Sequence, residues 1–193
     1  VEPKDDAYYL SLFSMPKPVR ISGRSSSITN SFVNGVIPVL VPSALEVRAA
    51  LEVLGMSDSI SCSYCGGTST EWDHLRPLVV NQRPTGFVSE IQNLVPACGK
   101  CNQSKGNRPW RVWINSDARL SPKTRGVADL EQRVSRLEAF EIWSEPSWVD
   151  IESIVGPELW KLHWENHDRV LAVMREADLI AARIRAEISA HIA

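Results

Sequence analysis

The sequence predicts an α+β protein, in which a small core of short strands and turns, stapled by zinc on four cysteines, precedes a mainly helical region. Three observations lead there. All four cysteines, Cys62, Cys65, Cys98 and Cys101, fall into two C-x-x-C pairs, and such a turn sets two thiolates close enough to share one tetrahedral metal. From Ile60 to Cys101 the chain is punctuated by Gly, Pro, Ser and Asn, as short strands and turns are. From Ala128 onward apolar residues recur three and four apart, the period of helices.

Taken in order, the chain begins with a stretch to about Ser31 that is rich in Ser, Pro and basic residues (Lys17, Arg20, Arg24), which reads as an irregular arm with no core of its own. Ser43 then stands before Ala44, Val47, Leu51 and Leu54 at helical spacing, with Gly55 behind them. A helix capped by Ser43 and ended by Gly55 follows. In the tail, Leu130, Val134, Leu137 and Ile142 are read as one helix face. Breaks come at Pro146 and Pro157, and a long helix runs from about Asp168 to Ile192. Along it Val170, Met174, Ala177, Ala181, Ile184 and Ile188 form a seam that suits packing on another helix, in the same domain or in a homodimer. The chain thus divides into an N-terminal arm and helix (1–58), a metal-stapled core (59–112), and a basic linker with a helical region (113–193).

At 193 residues, 44% hydrophobic and 23% charged, the chain can bury a core without disulfides and lacks the composition of a disordered protein. Its longest apolar stretch, Phe32 to Val41, is cut by Pro38 and is too short to span a bilayer. The first residues show no basic segment followed by an apolar one, so no secretory signal is visible and the cytoplasm is the expected compartment.

Four thiolates close the coordination shell of Zn²⁺ and leave no position for a substrate, so this zinc is expected to hold the fold and to perform no chemistry. The gap between the pairs, Gly66 to Ala97, is longer than in a simple zinc ribbon. The functional residues are therefore sought inside it.

That gap contains Glu71-Trp72-Asp73-His74-Leu75-Arg76-Pro77 and Asn93-Leu94-Val95-Pro96, and Asn102-Gln103-Ser104-Lys105-Gly106 follows Cys101 directly. His74 can accept a proton from water near neutral pH. Asp73 offers a carboxylate oxygen and Asn102 an amide oxygen, hard donors suited to Mg²⁺ or Mn²⁺. Two protein oxygens leave most of an octahedral shell for water and substrate, as a catalytic cation requires. The order C-x-x-C, D-H-L-x-P, N-L-V-P-x-C-x-x-C-N-x-x-K-G resembles the HNH nuclease motif in its four-cysteine, zinc-stabilised form, over roughly Ser61 to Arg108. The resemblance implies the ββα-metal fold, two strands and a helix around one catalytic cation. It also implies that Asn93 orients His74 and ties the loop across the hairpin, and that the helix from about Cys98 or Gly99 to Lys105 carries Asn102.

Net charge is −2, and zinc on four thiolates makes it more negative, so any contact with nucleic acid must be local. Lys100, Lys105, Arg108, Arg111, Arg119, Lys123 and Arg125 face only Asp117 in sequence, with Trp110 and Trp113 between them. This segment suits a DNA-binding face, with Arg76, Lys105, Arg108 and Arg111 as phosphate contacts; the alternative is a loop that its tryptophans dock onto the core. His163, His167 and His191 lack acidic or cysteine partners at ligand spacing and are read as structural or exposed.

The expected function is a metal-dependent endonuclease acting on double-stranded DNA and leaving 5′-phosphate and 3′-hydroxyl ends. Its small size resembles that of HNH restriction endonucleases, which points to a homodimer with one site per strand. The alternatives are a nicking or phage-type nuclease and a non-catalytic, zinc-stabilised DNA-binding module.

Overall fold

The structure, a computed structural model, describes residues 5–143 and 145–192. Residues 1–4 of the expected arm, with Ser144 and Ala193, lie outside the described residues. The architecture is α+β, as expected. Four short strands, β1 (Glu71–His74), β2 (Val79–Val80), β3 (Arg83–Pro84) and β4 (Leu94–Ala97), form two antiparallel pairs, β1 with β4 and β2 with β3. Eight helices accompany them among the described residues: α1 (Asp6–Leu12), α2 (Ser25–Asn34), α3 (Ala44–Val53), α4 (Gly99–Lys105), α5 (Trp110–Ile114), α6 (Leu130–Trp143), α7 (Ile151–Val155) and α8 (Pro157–Ile192).

The core around β1 and β4 is set by the cysteine turns and by β4, whose last three residues, Val95, Pro96 and Ala97, are all buried. Register pairs Glu71 with Ala97 and His74 with Leu94, which fixes the end of β1 beside the start of β4. Val95 and Ala97 are fully buried, as are Tyr64, Trp113, Leu137 and Phe140 in the same apolar cluster. Tyr64 and Trp113 meet edge to face, ring centroids 5.2 Å apart. α3 and α6, from before and after the strands in sequence, close this cluster. α3 has the expected start: Ser43 N donates to Glu46 Oε2 at 2.7 Å while Glu46 N donates to Ser43 Oγ, a reciprocal capping box. Gly55 follows at φ +67°, the left-handed conformation that ends a helix at low cost for glycine.

A second apolar cluster joins α2, β2 and the first half of α8 through Val33, Ile37, Leu78, Val79, Val88 and Trp164. Here the structure corrects the irregular arm, because residues 25–34 are helical. Thr29 and Val33 are buried, and Thr29 Oγ1 lies 2.9 Å from His167 Nε2. Packing on α8, which local composition does not report, overrides the serine-rich propensity.

α8 also begins earlier than expected. Pro157 opens the helix, because a first-turn proline gives up only a donor that would be unpaired anyway. The tail faces need correction too. Ile142 is exposed on α6, and Phe140 takes the buried position. On α8 the seam is not one stripe. Asp178 accepts from Ile21 N at 2.6 Å, so the 3-10 turn Ile21–Arg24 packs on the middle of the helix, and Val170, Ile184 and Ile188 stay exposed. His163 and His167 bond Phe32 O and Thr29, structural roles as expected. Among the described residues no helix is long and apolar enough to cross a membrane.

Candidate active site

The two cysteine pairs converge as their spacing predicts. All four Sγ atoms lie within 4.8 Å of one another, and Cys65 and Cys98 are 3.8 Å apart. A tetrahedron with zinc–sulfur bonds of ~2.3 Å has edges of ~3.8 Å, so the cluster fits zinc. Without a cation the group resists sharing negative charge: the sulfurs of Cys62 and Cys65, with burial, hold the Cys101 thiol far above its ordinary range. Two arginines attend the cluster. Arg125 donates to Cys101 Sγ at 3.3 Å, and the buried Arg133 of α6 donates to Cys62 O at 3.1 Å while paired with Asp129. Gly66, at φ +72°, leaves room for Arg133, since a Cβ there would lie 2.3 Å from its Nη2.

From this staple β1 and α4 run side by side. Residues two apart on a strand share a face, as do residues three apart on a helix. Glu71 and Asp73 therefore meet Asn102 and Lys105 in two rungs: Asn102 Nδ2 donates to Glu71 Oε2 at 2.5 Å, and Lys105 Nζ lies 3.1 Å from Asp73 Oδ2. A carboxylate only accepts, so the Glu71 rung fixes which way the Asn102 amide is turned. Its Oδ1 has no partner among the described residues.

Asp73 and Lys105 are both buried. Tyr64 Oη donates to Asp73 Oδ2 at 2.5 Å, and Lys105 also donates to His74 O at 2.8 Å. Burial raises the Asp73 carboxyl above its usual range against the opposing pull of Lys105 and Tyr64. Burial likewise lowers the Lys105 ammonium. A carboxylate has about four lone-pair directions, so these donors leave Asp73 able to accept one further ligand.

His74 ends β1. Its Nε2 lies 2.8 Å from Ser89 Oγ, and Nδ1 has no partner among the described residues. Burial, then the charge of Lys105, depresses the imidazole to about 4, so at neutral pH it is uncharged. Asp73, His74 and Asn102 line one cavity of about 400 Å³, together with Asn30, Asn34 and Gln103.

Asn93 is fully buried and ties the loop as expected: its Oδ1 accepts from Arg76 N at 2.8 Å and its Nδ2 donates to Arg76 O at 3.0 Å. It does not touch His74; the imidazole is held by Ser89 instead. Other expectations also change. Lys105 is an internal cation beside Asp73, not a phosphate contact at the surface. Arg111 lies over the Trp110 ring and pairs with Glu138 and Glu141 of α6. Trp110 and Trp113 are buried, so this segment docks onto the core through its tryptophans. Arg108 is exposed at the end of α4, where its guanidinium donates to Ser104 O and Lys105 O. Arg76 stacks 5.8 Å from the Phe87 centroid with its Nη1 buried.

Three residues that hold Asp73, His74 and Asn102 in place are not singled out by the sequence: Glu71, Ser89 and Tyr64. Glu71 carried a signal, its two-residue offset from Asp73 on one strand face. Tyr64 and Ser89 carried none, since their partners come from folding.

Residues 62–108 match the family of HNH endonucleases, and the chain carries an HNH endonuclease domain there. Two curated relatives align with part of the chain. The CRISPR-associated endonuclease Cas9 of Corynebacterium diphtheriae is 39% identical over 59 residues, 28% of this chain. That of Actinomyces naeslundii is 38% identical over 68 residues, 33% of this chain. The chain spans 5% of the length of each. No solved structure gives a significant match.

Proposed function

We propose that this protein is a metal-dependent DNA endonuclease that hydrolyses phosphodiester bonds at the cavity between β1 and α4. The observation that carries the reading is the convergence of Asp73, His74 and Asn102 on one cavity wall, beside a cysteine cluster that fits zinc. Asp73 and Asn102 would hold Mg²⁺ or Mn²⁺, which offsets charge on the phosphate and on the departing 3′-oxygen. With Nε2 turned to Ser89, His74 takes the proton of the attacking water on Nδ1. Attack on phosphorus leaves a 5′-phosphate and a 3′-hydroxyl. Asn93 fixes the loop behind His74, and Glu71 turns the oxygen of Asn102 to the cavity.

One site cuts one strand, so we extend the proposal to a restriction-type defence enzyme acting as a homodimer, with the exposed apolar residues Ile184 and Ile188 of α8 at the interface. The non-catalytic DNA-binding reading has one observation in its favour, the internal cation Lys105 already paired with Asp73. Supercoiled plasmid incubated with the zinc-loaded protein separates the two. The nuclease reading expects nicked and linear product with Mg²⁺ or Mn²⁺, none with chelator, and 5′-phosphate ends. DNA binding without cleavage under every cation tried would overturn it.

A further inference from the structure

The loop between β1 and β4 carries a feature that the hydrolytic chemistry does not use. β2 and β3 form a hairpin whose two-residue turn is Asn81-Gln82, both in the left-handed region at φ 50° and 62°. Glycine is favoured at such a turn, and a glutamine is held there at some cost. The root is rigid: Val79 is buried in the second apolar cluster, Thr85 N donates to Leu78 O at 2.9 Å, and Thr85 Oγ1 donates to Pro77 O at 2.8 Å. The tip is exposed.

A second cavity, of about 470 Å³, lies under this tip, walled by Ser26, Asn30, Asn81, Gln82, Asn107 and Arg175 among others. It shares Asn30, Val79 and Asn107 with the catalytic cavity, so the two form one trough. Among its described lining residues there is no carboxylate, and Arg175 is the one charged group. The rest of the polar wall consists of hydroxyls and neutral amides. The side-chain amides of Asn30, Asn81, Gln82 and Asn107 have no hydrogen-bond partner among the described residues. Asn30 is half-buried and faces both cavities.

Hydroxyls and amides also contact phosphates, but a wall with a single cation neutralises little backbone charge, whereas amides, each with a donor and an acceptor, match base edges. A two-stranded ribbon also fits the major groove, where Asn and Gln pair with adenine in bidentate fashion. We infer that the β2–β3 hairpin and the trough beneath it read the bases of double-stranded DNA flanking the cut, with Asn81 and Gln82 as the specificity-determining contacts. This inference rests on the endonuclease reading for the position of the cut, and on the amide-lined trough for the recognition itself.

The test is Asn81→Gly with Gln82→Gly, which removes both amides while glycine accepts the positive φ of the turn. Zinc content and unfolding midpoint should match those of the unaltered protein. Both proteins are given a library of duplexes randomised around a central position. One pool is recovered by cleavage with Mn²⁺ and another by binding with Ca²⁺. A good bidentate contact discriminates between bases by roughly 5- to 150-fold, so the unaltered protein should enrich particular bases at one or two positions by a factor in that range and the variant should fall to within about twofold of no enrichment there. Retained enrichment in the variant, or none in the unaltered protein in either pool, overturns the inference. Loss of enrichment in the bound pool by a protein that cuts nothing would uphold the recognition trough while removing the endonuclease reading.

Discussion

Replacing Lys105 with methionine keeps most of the side chain's length and removes its charge from a site where Asp73 has little access to water. The ammonium lies 3.1 Å from Asp73 Oδ2, with the two side chains 1% and 6% exposed, and it also donates to His74 O. Breaking a buried ion pair by removing one partner costs about 3–5 kcal/mol, because the remaining charge is left uncompensated. Tyr64 still donates to Asp73, which places Lys105→Met near the lower end, ~3 kcal/mol. For a chain of this size each kcal/mol moves the melting temperature by roughly 2–4 °C, so a loss of roughly 6–12 °C is expected. Adding Asp73→Asn removes the stranded charge, and the double variant should melt above Lys105→Met alone. Thermal unfolding of zinc-loaded protein measures Lys105→Met, Asp73→Asn and the double variant against the unaltered chain. A loss under ~1 kcal/mol for Lys105→Met, or single losses that simply add in the double variant, would refute the reasoning. If Asp73 also takes a divalent cation, Mg²⁺ should raise the melting temperature of Lys105→Met more than that of the unaltered protein, through binding to the folded state.

Glu71→Ala frees the Asn102 amide to rotate and removes a hydrogen bond to a charged group, an interaction in the range of ~1.5–3 kcal/mol. Mn²⁺ affinity should fall by about tenfold or more with zinc content unchanged; an unaltered affinity would show that Glu71 does not position Asn102. The His74 imidazole is depressed to about 4 by burial and then by Lys105. Cleavage should therefore stay level from pH 8 to 5.5 as far as His74 is concerned, and a fall centred near 6.5 would contradict this. The same shift has a stability consequence: between its unfolded value of ~6.5 and about 4 the unfolded chain binds the extra proton, so stability is lost as pH falls through that window. His74→Asn should remove this component of the pH dependence. Cys62→Ser or Cys98→Ser should lose zinc and unfold the core, since structural zinc binding is coupled to folding. Elemental analysis that finds no zinc in the purified protein would remove that expectation. Ile184→Lys with Ile188→Lys should shift sedimentation of the protein from dimer to monomer; an unchanged oligomeric state would remove the α8 interface.

What could be read from the sequence was whatever local pattern determines. The cysteine turns and the Ser43 cap depend on residues a few positions apart or on a spacing with one geometric solution; the loop tie of Asn93, whose partner Arg76 is 17 residues away, came only through the family resemblance. Pairing across the fold was not legible. Lys105 looks like a surface cation until β1 and α4 are set side by side and Asp73 faces it. Arg111 looks free until α6 brings Glu138 and Glu141 over it from about thirty residues away. The helix at Ser25–Asn34 has weak propensity and forms because Thr29 and Val33 are buried on α8. The seam on α8 had the right period but two different neighbours, the Ile21–Arg24 turn along its middle and solvent beyond.

The central claim is that Asp73, His74 and Asn102 form one hydrolytic site in which His74 takes the proton. Its most direct test is the single-turnover rate of plasmid cleavage by zinc-loaded protein in Mg²⁺, for the unaltered chain and for His74→Ala with DNA affinity measured in parallel. The account predicts cleavage by the unaltered chain and a loss of about 10²-fold or more in the variant, the scale of general-base catalysis, with DNA affinity and zinc content preserved. Cleavage by His74→Ala at a comparable rate would contradict it.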